Sequence, residues 1–115
     1  MKEGVSIIRY EQFHGDIQIT EIGRELRKLV KVEKSSFKIL TGYGSSTGSS
    51  KSKYSALKSL AKMKSEGLIK GYMPGDVKYQ LLNSTSLYYE EKMTYGELLK
   101  NDSDYGNDGV IFIFK

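Results

Sequence analysis

The feature that most constrains this chain is an alternation of two patterns: short β-branched and aromatic runs, separated by stretches whose apolar residues recur at helical spacing. Val5 to Phe13 carries no helical stripe and stops at His14-Gly15, which reads as a first strand. Beyond Thr20, a predicted N-cap with Glu21 just inside, Ile22, Leu26, Leu29 and Val30 follow the i, i+4, i+7, i+8 spacing of one helix face, weakened at Gly23. Phe37 to Leu40 reads as a buried second strand that runs into Thr41-Gly42-Tyr43-Gly44. A second helix is predicted from about Lys53 to Glu66, with Leu57, Leu60, Ala61 and Met63 inward, Gly67 as its left-handed stop and Leu68 as the partner of its last turn.

Ile69 to Met73 reads as a third strand closed by Pro74-Gly75, and Val110 to Phe114 as the last strand. Between them the signal is poorer. Val77 to Leu82 reads as an edge strand or a strand continuation, and Thr85 to Lys100 as a helix broken near Gly96 or an ordered excursion. Asn101 to Asp104 and Gly106 to Gly109 carry turn chemistry. Helices alternating with strands imply right-handed crossovers and both helices on one face of the sheet. The predicted fold class is therefore α/β: a two-layer β-α-β-α-β-β sandwich with a mixed, mainly parallel four-stranded sheet and its helices on one face. All 115 residues are expected to form one domain, with an insertion at 76–105 before the last strand.

Composition narrows the chemistry. The chain has no cysteine, which removes disulfides, thiolate metal sites and a cysteine nucleophile, and His14 is its single imidazole, so a zinc site is not expected. With neither a signal-peptide core nor a membrane-spanning apolar run, a soluble, cytoplasmic protein without a membrane partner is expected. The formal charge is +4 and unevenly spread. Lysine and arginine dominate from Arg24 to Lys70, whereas aspartate and glutamate dominate from Asp76 to Asp108. A positive middle segment would concentrate phosphate-bearing ligands, although a solvated lysine face that keeps the protein soluble explains the same charges.

The sharpest local feature is strand, Thr41-Gly42-Tyr43-Gly44, serine-rich loop, helix. Glycines let a backbone approach a ligand, amides at a helix N-terminus favour anions, and Ser45, Ser46, Lys51 and Lys53 can add hydrogen bonds, so phosphate is the natural guest. A flexible connector rich in small residues is the plainer alternative. The dinucleotide fingerprint fails, because Thr47 stands where glycine is required. A Walker A loop fails as well, since neither Gly42 nor Gly44 has a glycine five residues on. If the first two strands end side by side, His14 joins the same crevice, as acid, base or phosphate partner, and Gln12 shares its face of the strand. Tyr43, Tyr54 and Tyr72, interleaved with lysines, can stack on bases, although core packing is the commoner fate of a tyrosine.

Gln12-Phe13-His14-Gly15, Thr41-Gly42-Tyr43-Gly44 and Gly106-Asn107-Asp108-Gly109 leading into Val110 to Ile113, in this order and on these elements, resemble the Smr (small MutS-related) domain. The match covers most of the chain outside Asp76 to Asp104. The resemblance implies a fold similar to the C-terminal domain of translation initiation factor three. It further implies a nucleic-acid-binding domain for DNA or RNA, with nicking endonuclease activity in several members of the family. It places Gln12, His14 and Thr41 at the catalytic positions, while the loop and its charges make Gly42, Tyr43, Gly44, Ser45, Ser46, Lys51 and Lys53 the nucleic-acid-binding candidates. Where the family carries aspartate this chain has Gln12, whose amide cannot act as a base or a strong metal ligand, and where it carries the first histidine of His-Gly-x-Gly this chain has Thr41. No metal site is assigned, and Mg²⁺ or Mn²⁺ would enter only with a nuclease reaction. The alternative function is a protein-interaction module that docks a partner through the acidic, tyrosine-rich segment 76–108.

Overall fold

A computed structural model describes residues 7–13, 17–41 and 51–115. The elements run β1 (Ile8–Tyr10), α1 (Ile19–Val32), β2 (Phe37–Leu40), α2 (Lys51–Ser65), β3 (Gly71–Pro74), a 3₁₀ turn (Gly75–Tyr79), α3 (Tyr89–Leu99) and β4 (Val110–Phe114). They build a mixed α/β fold on a four-stranded sheet of order β1-β2-β4-β3.

The sheet corrects one expectation. β1, β2 and β3 point the same way, yet only the β1–β2 ladder is parallel, because β4 inserts between β2 and β3 and runs against both. Val-Ile-Phe-Ile-Phe suits that central place, since a strand buried on both faces needs a continuous apolar run, and all five residues of β4 are buried.

The two faces are covered differently. Phe37, Ile39, Tyr72, Ile111 and Ile113 pack against Ile22, Leu26 and Val30 of α1 and Ala56, Leu60 and Met63 of α2. Gly23 costs α1 helix propensity but lets the helices cross closely: a Cβ there would lie 2.8 Å from Ser59 Oγ. The opposite face, formed by Leu40, Met73, Val110, Phe112 and Phe114, is covered by Val77, Leu99 and Tyr105, with the ring of Tyr95 stacked on Phe114 at 3.8 Å. The two-layer expectation with helices on one face is thereby corrected. α1 and α2 do share a face, but the 76–105 segment forms a third layer on the other side, because both sides of the sheet are apolar.

Local signals fared unevenly. The α2 stop forms as expected: Gly67 takes φ +79°, its amide donates to the Lys64 carbonyl at 3.0 Å, and the Leu68 amide donates to the Met63 carbonyl at 3.0 Å. On the inner face of α2, Ala56 is buried while Ala61 is exposed, since 56, 60 and 63 share the stripe. Thr20 is not the cap of α1; the helix opens on Gln18, whose carbonyl accepts the Glu21 amide at 2.9 Å. The strand predicted from Val77 is instead a 3₁₀ turn, because at Gly75 the chain passes so close to Asn107 that a Cβ would lie 2.3 Å from its carbonyl oxygen. α3 runs unbroken through Gly96. Among the described residues no helix is long and apolar enough to cross a membrane.

Candidate nucleic-acid interface

Parallel pairing of Ile8 with Phe37, Arg9 with Lys38 and Tyr10 with Ile39 brings the ends of β1 and β2 side by side. Past β1, Glu11 and Gln12 are exposed and Phe13 turns fully into the core. Past β2, Thr41 is fully buried: its amide and its hydroxyl both donate to the Gly109 carbonyl, at 2.6 and 2.8 Å. That carbonyl stands just before β4, so Thr41 fastens the end of β2 to the start of the strand beside it. A hydroxyl that gives its proton to a main-chain carbonyl serves as a strut in this geometry.

The amino end of α2 opens at the same end of the sheet. Its last turn leads through Leu68 to the start of β3, so its first turn lies by the far end of that strand. The ion pair of Lys53 with Asp76, at 3.5 Å, shows this directly, Asp76 following β3 by two residues. The ends of β1, β2 and β3, the start of β4 and the first turn of α2 thus share one rim. Of the sequence-predicted site residues, Gln12, Thr41, Lys51 and Lys53 come to this rim; His14, Gly42, Tyr43, Gly44, Ser45 and Ser46 lie outside the described residues.

The charge at the rim is mixed, since Lys53 pairs with Asp76, and Glu11 and Asp108 flank the end of β1 and the start of β4. The division of charge along the sequence does not survive folding as two separate fields. The acidic later segment folds back onto the basic one through Lys38 with Asp102 and Asp104, Lys53 with Asp76, and Lys64 with Glu91. Sequence reasoning missed the first of these clusters. Lys38 is only 8% exposed on the second face of the sheet; Asp104 also accepts from Arg9 at 3.1 Å, and Arg9 reaches Glu11 at 2.6 Å. The signal was a lysine inside an apolar strand, with two aspartates in a stretch read only as a turn.

Exposed cations lie on α1 and in the connections as well, and α2 carries a row of them. Lys51, Tyr54, Lys58 and Lys62 follow the i, i+3, i+7, i+11 spacing of one helix face, and all are exposed. Tyr54 is 68% exposed, with the Lys58 ammonium 5.9 Å from its ring centre. Of the tyrosines proposed to stack on bases, Tyr54 alone among the described residues is placed for it; Tyr72 is 6% exposed, and Tyr43 lies outside the described residues. Among the described residues no three histidine or carboxylate side chains converge to hold a metal ion.

Compared with protein-family models, curated proteins and solved structures, the chain matches none of them.

Proposed function

We propose that the chain is an Smr-like domain that binds DNA or RNA along the outer face of α2, toward the rim where β1 and β2 end. The observation that carries this reading is the exposed stripe Lys51, Tyr54, Lys58 and Lys62. Lysine ammoniums spaced along a helix neutralise successive phosphates and release counterions, and an exposed aromatic ring between them stacks on a base of any sequence. The β-α-β-α-β order of the first five elements further supports a fold similar to the C-terminal domain of translation initiation factor three, with α3 added before β4. The proposal concerns binding, and no cleavage step is drawn from Gln12 or Thr41.

Titrating labelled DNA and RNA hairpins while following amide chemical shifts tests this. Shifts concentrated on 51–62 and on the rim residues Gln12 and Thr41 are expected, and Tyr54→Ala should weaken binding by about 1–3 kcal/mol, the usual worth of one stacked base. Uniformly small shifts, or shifts confined to α3, would count against it.

The exposed Leu81, Leu87 and Met93 favour a second reading, docking of a protein through 76–108. Deleting that segment would strip one face of the sheet, so the fitting test is Leu81→Ser with Met93→Ser, which should abolish a specific pull-down and leave hairpin binding intact.

A further inference from the structure

On the β3 edge of the sheet, Lys64, Tyr72, Tyr88, Tyr89, Glu90 and Glu91 wall a cavity of about 190 Å³. Lys64 stands thirteen residues along α2 from Lys51, about 20 Å away at ~1.5 Å per residue, so the cavity is separate from the rim.

Glu91 is the chemical centre. It lies in the first turn of α3, is 6% exposed, and accepts a hydrogen bond from the Lys64 ammonium at 2.7 Å. The sheet leaves space for it: a Cβ on Gly71 would lie 2.9 Å from both Cγ and Oε2 of Glu91. Beside it the rings of Tyr72 and Tyr88 meet edge to face at 5.4 Å. Burial, first of all, pushes both phenols above their ordinary range, so the rings stay neutral and their faces electron-rich. Tyr88 is held at φ 71°, a left-handed conformation uncommon for a bulky side chain.

With Glu90 and Glu91 set against Lys64, the walls carry one net negative charge. A carboxylate withdrawn from water beside aromatic faces attracts cations and repels anions. Space equal to about six waters, at ~30 Å³ each, admits a planar cationic head with a short stem. We infer that this cavity binds a guanidinium or alkylammonium group, which pairs with Glu91 and packs against the tyrosine rings.

The full chain, isotopically labelled, is titrated with methylguanidinium, with the blocked peptide acetyl-Gly-Arg-Gly-amide, and with its neutral citrulline counterpart. Saturable amide shifts over 84–91 and at Lys64 are expected with both cations and not with citrulline. Glu91→Gln should weaken binding at least tenfold. Because that change also weakens the bond to Lys64, exposed Glu90→Gln is the second variant, expected to weaken binding severalfold with the fold intact. Tenfold tighter binding of the peptide than of methylguanidinium identifies a protein side chain as the source of the cation, and equal binding a free small molecule; either supports the site. Equal response to citrulline, shifts that never saturate, or unchanged affinity in both variants overturns it.

Discussion

Lys38 and Asp102, 64 residues apart in the chain, meet inside the molecule with the lysine ammonium 2.8 and 2.9 Å from the two carboxylate oxygens. Both side chains are about nine-tenths buried, and Asp104 completes the cluster at 3.0 Å. The loop before β4 is thereby fixed onto β2.

Lys38→Met is expected to destabilise the protein by about 3–5 kcal/mol, because it leaves Asp102 buried without its cation and Asp104 with Arg9 alone. Adding Asp102→Asn and Asp104→Asn should recover most of that loss. Urea unfolding of the variants measures both; a Lys38→Met protein as stable as the wild type would show the cluster contributes nothing.

Gly75→Ala should cost more than Gly67→Ala, although only Gly67 has a positive φ. A Cβ on Gly67 meets nothing within 4 Å, so its cost is the conformational one of about 1 kcal/mol. A Cβ on Gly75 would collide with the Asn107 carbonyl, which is backbone and cannot swing aside, and overpacking of this kind costs about 1–3 kcal/mol or more. Comparing the two denaturation midpoints decides the order.

Arg27 reaches across from α1 to Glu66 just past α2, and its hydrogen bond holds the Glu66 carboxyl below the ordinary value of 4.5. A carboxyl depressed in the folded state contributes stability above its unfolded pKa and loses it as pH falls through the folded one. The gap in melting temperature between wild type and Glu66→Gln should therefore be present, though small, at neutral pH and close as pH falls through the depressed folded-state value. A gap that persists unchanged in acid would contradict this sign.

Much of the architecture could be read from local signals. The strand–helix alternation, the Gly67 stop and the apolar stripe of α1 are properties of a few neighbouring residues, and they name the elements that fold. What the sequence concealed was long-range. Nothing near Val110 says that β4 lies between β2 and β3, and nothing near Leu99 says that α3 covers the second face. Charge was misleading for the same reason: Lys38, Lys53 and Lys64 counted toward a basic segment until the fold set each beside an acid from the later one. At the rim, Thr41 was singled out for chemistry from its motif alone, and that its hydroxyl also reaches the Gly109 carbonyl is visible only in the fold. The α2 stripe was legible in part, as Tyr54 among lysines, but which tyrosine faces outward is settled only by packing.

The central claim is that α2 presents its cations to phosphates, and salt dependence tests it most directly. Binding of a duplex DNA hairpin is measured across a range of salt for the wild type and for Lys51→Ala with Lys58→Ala. The slope of log K against log salt should become shallower by about 1.8 in the variant, as two released counterions are lost at ~0.9 each. An unchanged slope with unchanged affinity would contradict the account.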